Sequence, residues 1–444
     1  LANCLFIRFH VRKRESTTTS RLSKVGHGYS IGGIGRLLPI KDFPNKVKNI
    51  PHMKFFRLKS HQRKVLFDEE EISAPHLILR GHEGAVNGVV CLSNGRLVSY
   101  GWDSTLRLWS PDGTLIKMME AGPNLGGVTK VIALDDGSFL SLDFAICHWS
   151  QEGKRIKEAE SYHWACFSDI LMMQNLWVSW GGDGVMKLWS PLLKRPRNVD
   201  AHSSQITSIK ELGGGRFLTT SLDGELKIWS PRGKLEHTLE GHPAGVAGAI
   251  LSSAGNIISW DLAGNIGQWD QEGRHLSWWN GHDDAINGMC LLPDKSLLSW
   301  SADATLRIWK EEEPELTVLK GHQGSIANVY VFGDSSFLSW CGDFPPYIMG
   351  VRHLNYDNIL FHWPFESDGG GGLEFHTSHV NGVLELSRNR LLSWSNDHTL
   401  CGFDLNGVFH FRLKGHEDRV TGALLHPDGR IVSWSEDGTV RIWK

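Results

Sequence analysis

A Gly-His pair recurs along the chain at Gly81-His82, Gly241-His242, Gly281-His282, Gly321-His322 and Gly415-His416, with Ala201-His202 and Phe375-His376 as variants. The period is about 40 residues, the length of four short strands with their turns. Units of that size cannot bury their apolar faces alone, so neighbours must stack on one another. This recurrence constrains the fold more than any other feature of the sequence.

The pairs carry a longer phrase. From each of these seven His residues a Ser or Thr follows 17 positions later, at Ser99, Thr219, Ser259, Ser299, Ser339, Ser393 and Ser433. Four residues on stands Asp in six copies (Asp103, Asp223, Asp303, Asp343, Asp397, Asp437) and Ala263 in the seventh. Six residues beyond comes Trp109, Trp229, Trp269, Trp309, Phe403 or Trp443, but from Asp343 to Trp363 the interval is 20. That copy therefore carries 14 extra residues, about Phe344 to Asp357. Two degenerate copies end at Trp149, with Ser141 and Asp143, and at Trp189, with Ser179 and Asp183. The first has no His near Asn124, and the second has Tyr162 beside His163 at the His position, so these two units are expected to rely on packing more than on polar contacts.

Between the markers, "GRLVSY", "KSLLSW" and "TLRIW" alternate with period two or run apolar for about five residues, bounded by Gly, Asp, Asn or Pro. No segment has a helical period. Four strands per repeat around a closed ring define an all-β fold, a single β-propeller. The markers count nine blades, or eight with one irregular unit. The last repeat ends one residue after its third strand, and "HLILRGH" (His76 to His82) reads like "LTVLKGH" (Leu316 to His322). An N-terminal strand is thus expected to complete the last blade, leaving no sheet edge bare at the closure.

Gly-His, Ser/Thr, Asp and Trp at these offsets resemble the WD-repeat family over residues 76–444, and "LLSWSADATLRIW" is similar to bacterial members in particular. The resemblance implies hydrogen-bonded tetrads: His82, Ser99, Asp103 and Trp109; His202, Thr219, Asp223 and Trp229; His282, Ser299, Asp303 and Trp309; His322, Ser339, Asp343 and Trp363; His416, Ser433, Asp437 and Trp443. A catalytic triad uses the same residue types. A catalytic constellation occurs once, at a pocket, whereas this one repeats in nearly every unit, so catalytic residues are not expected. The Trp residues of the "SW" phrases (Trp180, Trp260, Trp300, Trp340, Trp394, Trp434) follow the tetrad Ser by one and face the other side of the strand, where they are expected to pack between blades.

Residues 1–67 hold 15 Lys/Arg against 2 Asp/Glu, while the whole chain is at −3. Residues 1–75 read as a basic, disordered extension, with 1–52 of doubtful standing as native coding sequence because Met53 offers an alternative start. Nucleic-acid contact by this tail is not expected, for few aromatics interleave its charges. Hydrophobic residues make up 41% of the chain, and no apolar run reaches the ~18 residues of a membrane span. Seven Cys without a CxxC pair suggest neither disulfides nor zinc, and a reducing, cytoplasmic location. No metal or cofactor is expected.

The family resembled here mostly docks proteins or peptides on the top face of the propeller. The expectation is a non-enzymatic interaction scaffold, a monomeric propeller binding a protein or peptide partner. The alternative is a sensor or regulatory module of a larger signalling enzyme. Trp102, in the turn before Asp103 where other repeats carry Gly, Leu, Ala, Asn or Glu, is one candidate contact, with Arg419. The insertion supplies others: Pro345 and Pro346 to stiffen it, Tyr347, Met349 and Tyr356 for apolar contact, Arg352 and His353 as polar anchors.

Overall fold

The computed structural model describes residues 70–72, 75–121, 127–143, 145–159, 167–173, 176–190, 195–310, 316–342, 358–364, 370–387 and 389–444. These fall within one compact unit. Every regular element among them is a strand, and the strands form nine sheets, each built on four antiparallel strands. The sheets are nine blades in a ring, spanning 86–120, 130–159, 167–200, 206–239, 246–280, 286–320, 326–373, 380–413 and 420–443.

The ring closes as the sequence leads one to expect. Leu77–Leu79 pairs antiparallel with Val440–Trp443 as the outer strand of blade 9, in the register Leu77 to Ile442 and Leu79 to Val440. One apolar cluster spans the closure, joining Leu79, Val432, Val440 and Ile442 of blade 9 to Val86, Val89, Leu97 and Trp109 of blade 1. A second strand, Glu70–Ile72, lies within the stretch read as extension and runs parallel to the outer strand of blade 8, Phe409–Leu413.

Polar latches link successive blades. The second residue of an inner strand reaches the start of the next blade: Asn87 Nδ2 donates to the Val128 carbonyl (2.9 Å), two residues before the inner strand of blade 2, and Thr207 Oγ1 to Val246 (2.8 Å), Asn287 Nδ2 to Ile326 (2.8 Å) and Asn381 Nδ2 to Val420 (2.8 Å), each the first residue of its strand. Thr421 Oγ1 makes the same bond to Val86 across the closure, at 3.2 Å. Such bonds matter because a buried carbonyl left unpaired costs about 1–3 kcal/mol.

Four of the six "SW" Trp rings lie over glycines of the inner strand, while Trp180 and Trp340 stand opposite Asp169 and Asn328. A Cβ on Gly248, Gly288, Gly382 or Gly422 would meet Trp260, Trp300, Trp394 or Trp434 at 2.5, 2.2, 2.3 and 2.1 Å. The phrases "VAGA", "INGM", "VNGV" and "VTGA" are thus the complement of "SW", a glycine opening the space that the indole fills. Trp300 Nε1 continues to the Ala327 carbonyl of blade 7 at 3.3 Å, so the ring does pack between blades.

Candidate functional site

Each tetrad begins with a Trp at the end of a third strand, where the indole N–H points across the sheet. It donates to the hydroxyl of the second strand in eight blades: Trp109 to Ser99, Trp149 to Ser141, Trp189 to Ser179, Trp229 to Thr219, Trp269 to Ser259, Trp309 to Ser299 and Trp443 to Ser433 at 2.9 Å, and Trp363 to Ser339 at 2.8 Å. Phe403 removes this donor from blade 8, where Ser393 Oγ keeps the contact to the facing carbonyl of the third strand that blades 4, 5 and 6 also show, here Cys401 at 3.5 Å. In blades 2 and 3 the Trp–Ser bond is retained alongside packing; Tyr162 and His163 lie outside the described residues.

The hydroxyl then hydrogen-bonds His Nε2, and His Nδ1 donates to a carboxylate. The distances are 2.8 and 2.9 Å for Ser99–His82–Asp103, 2.7 and 3.0 Å for Thr219–His202–Asp223, 2.7 and 2.9 Å for Ser299–His282–Asp303, 2.8 and 2.9 Å for Ser393–His376–Asp397, and 2.8 and 2.9 Å for Ser433–His416–Asp437. In the chains of His202, His282 and His416 a neutral ring protonated on Nδ1 satisfies every member, whereas the His376 ring, raised to about 9 by its hydrogen bonds to Asp397 and Cys401 against the opposing effect of burial, holds both protons and donates from Nε2 to Ser393 Oγ. Burial lowers the pKa of His202, His282 and His416, favouring that neutral form. For Asp103, Asp303, Asp397 and Asp437 burial works the other way, yet hydrogen bonds from the His and the turn hold the carboxyls well below the usual range.

Blade 5 corrects the sequence reading. Ala263 stands at the acid position, but His242 Nδ1 still donates to a carboxylate: Asp261 Oδ2, at 3.0 Å, from the end of the second strand. Asp261 is fully buried, and it accepts the backbone N–H groups of Ala263 (2.9 Å) and Asn265 (2.8 Å) and the Asn265 amide. Its surroundings explain the shift. In blades 1, 6 and 9 an Arg two residues before the tetrad Trp lies 3.8, 3.5 and 3.6 Å from the turn Asp (Arg107, Arg307, Arg441). Blade 5 has Gly267 there, and the Trp278 ring fills the space, 4.6 Å from His242. Blade 7 is similar: Phe361 lies 4.5 Å from His322, Ser339 Oγ donates to His322 Nε2 at 2.7 Å, and Cys341, at the position of Asp261, places its sulfur 3.3 Å from His322 Nδ1. Asp343 lies outside the described residues. The signal that finds Asp261 is a carboxylate two residues after the tetrad Ser combined with loss of the cation.

The hydroxyls of Ser99, Thr219, Ser259, Ser299, Ser339, Ser393 and Ser433 belong to fully buried residues and are already bonded to His, so no substrate reaches them from solvent. His202, Asp223 and Glu225 stand close enough together for a metal ion. His202 and Asp223 are engaged in the tetrad, and Glu225 pairs with Lys227 at 2.9 Å.

The candidate contact residues divide. Trp102 sits in the turn between the second and third strands of blade 1, 37% exposed, with its backbone N–H on the Ala85 carbonyl at 3.0 Å. Glu436 occupies the same position in blade 9, with its N–H on the Arg419 carbonyl at 3.2 Å. Arg419 Nε pairs with Glu436 Oε2 at 2.8 Å. Trp102 and Arg419 therefore lie at the same end of the ring on adjoining blades. Pro345, Pro346, Tyr347, Met349, Arg352, His353 and Tyr356 lie outside the described residues.

A closed ring of nine four-stranded blades threaded by His–Ser–Trp chains defines a tetrad-bearing β-propeller. The sequence profile described as "WD domain, G-beta repeat" matches residues 73–110, 193–230, 273–310 and 407–444. Four WD repeats are thus recognised along the ring, and the WD-repeat β-propeller they belong to is a fold that generally serves as a non-catalytic interaction module. Among solved structures, the computationally designed Ika8 protein is similar in fold, with 21% identity, 84% of this chain and 99% of that chain covered, and a TM-score of 0.52. The WD40 β-propeller domain of Doa1 matches at 23% identity over 62% of this chain and 94% of its own, with a TM-score of 0.41. No curated protein matches the chain. Among the described residues no helix is long and apolar enough to cross a membrane.

Proposed function

We propose that the protein is a non-enzymatic scaffold that binds a protein or peptide partner on the end of the ring that carries Trp102. The observation behind this reading is the exposed indole of Trp102 beside the Arg419–Glu436 pair, on a propeller whose tetrad Trp residues are turned inward. An accessible Trp supplies a large rigid contact area, and Trp and Arg dominate binding hot spots. The surface ion pair adds little stability, so its side chains are available to rearrange toward a partner. The insertion at Phe344 to Asp357 belongs to the same reading, with Tyr347, Met349, Arg352, His353 and Tyr356 as contacts on a loop stiffened by Pro345 and Pro346. The propeller acts as a monomer in the cytoplasm, in keeping with free thiols at Cys91, Cys147, Cys290, Cys341 and Cys401.

The test is affinity purification with three full-length proteins: wild type, Trp102→Ala with Arg419→Glu, and a protein in which "GTVRI" replaces residues 344–362 to restore the six-residue interval. The expected result is loss of the principal partner from both variants with unchanged melting temperature. Retention of the same partner by both variants would reject this face.

A further inference from the structure

The outer strand of blade 8 is the one blade edge among the described residues that carries a fifth strand. Glu70–Ile72 adds to Phe409–Leu413 in parallel, with Glu70 opposite Phe411, Glu71 opposite Arg412 and Ile72 opposite Leu413. Within the blade all other pairs are antiparallel. A parallel neighbour cannot be delivered by a hairpin, so this strand docks as a separate piece of chain, the geometry by which a sheet edge accepts an extended peptide.

Charge indicates what the edge selects. The chain is strongly basic through residue 67, and then Asp68, Glu69, Glu70 and Glu71 follow without a break. The sign reverses where the chain meets blade 8, whose outer strand and its exit carry His410, Arg412 and Lys414. The outer strands of blades 2 and 3 also carry basic residues, but there an acidic residue of the same strand accompanies them, in "RIKEA" and "RNVD", whereas "FHFRL" holds none. Arg412 is positioned from within the blade, its Nη2 on the Phe375 carbonyl at 2.5 Å and its guanidinium 5.6 Å from the Phe409 ring centre. The pairing covers three residues, so few main-chain bonds hold the strand.

We infer that the outer edge of blade 8 is a strand-addition site for an acidic extended segment of a protein partner, and that Glu70–Ile72 occupies it as an exchangeable strap. The inference rests on the scaffold reading but uses the rim rather than the Trp102 face. A partner segment with consecutive Asp or Glu followed by an aliphatic residue would displace the strap and take over its main-chain bonds.

The probe is a fluorescein-labelled peptide of residues 66–73, LFDEEEIS, read by anisotropy against full-length proteins. A strap variant, Glu70→Lys with Glu71→Lys, should bind it about tenfold more tightly than wild type. Adding Lys414→Glu or Arg412→Gln to the strap variant should reverse the gain. Lys414 is exposed, so that substitution keeps the test valid if the Arg412 variant fails to fold. Trp102→Ala on the strap background should leave binding unchanged, which separates this site from the Trp102 face. Equal binding by wild type and strap variant, or equal binding of a scrambled peptide of the same composition, would overturn the inference.

Discussion

Asp261 shows that a tetrad can relocate its acid by two residues while His, Ser and Trp stay in place. Its full burial is tolerable because His242, Asn265 and two backbone N–H groups satisfy the carboxylate. Asp261→Ser should therefore cost about 1–3 kcal/mol in urea unfolding, by stranding His242 Nδ1. Adding Ala263→Asp should recover part of that loss, because it restores the turn carboxylate of the other blades; no recovery would mean that Trp278 has closed the turn position. The same residues set the acid response. His202, His282 and His416 have pKa values lowered by burial, so their contribution is present above the unfolded value of about 6.5 and lost as pH falls below it. The depressed carboxyls of Asp103, Asp303 and Asp437 add a second loss below about pH 4. His376 has the opposite sign: burial disfavours its charge, but hydrogen bonds to Asp397 and Cys401 raise it to about 9, so its contribution is lost as pH rises through that value. A melting temperature measured from pH 3 to pH 10 should show a plateau between about 6.5 and 9, falling on both sides; a maximum near pH 5 would contradict the neutral-His assignment.

At the scale of the strand, Leu77–Leu79 completes blade 9 and Glu70–Ile72 adds to blade 8. Removing residues 1–80 should lower the melting temperature markedly, because blade 9 then exposes the edge of Val440–Trp443 and part of the cluster around Leu79 and Ile442. Removing residues 1–52 should not, and equal stability of the two truncations would refute the clasp. Strand Leu77–Leu79 was legible because it repeats a phrase found before later Gly-His pairs and because the last repeat lacked a partner. Glu70–Ile72 was not, since "EEI" has neither alternation nor β-propensity, and its pairing depends on an edge more than 300 residues away in the chain. The tetrads were legible for the same reason that makes them structural: one geometry, repeated, writes one spacing. Asp261 escaped because its position is set by Gly267 and Trp278, a substitution on another strand and a ring on a third. The exposure of Trp102 followed from its place in a turn, where no inner neighbour can cover it.

For the whole molecule, the latches bridge five of the nine blade junctions, and the closure between blades 9 and 1 uses the same bond as the other four. It is supplemented by His426 Nε2 donating to the Gly95 carbonyl (3.0 Å) and Arg430 Nη2 donating to Pro111 (2.7 Å). Thr421→Val and Thr207→Val should each cost about 1 kcal/mol. Hydrogen exchange would distinguish them, for Thr421→Val should accelerate the amides of Val440–Trp443 while Thr207→Val leaves these unchanged. Acceleration in both would mean that blade 9 opens with the ring as a whole. The clasp also sets an order of events during synthesis. Leu77–Leu79 leaves the ribosome before any complete blade, yet its partner strand is made last. At roughly 5–20 residues per second it waits on the order of 20–70 s. Through that interval an apolar strand and eight growing blades stand with an unfinished seam. A nascent propeller of this kind has reason to be attended by a chaperone until its final strand emerges.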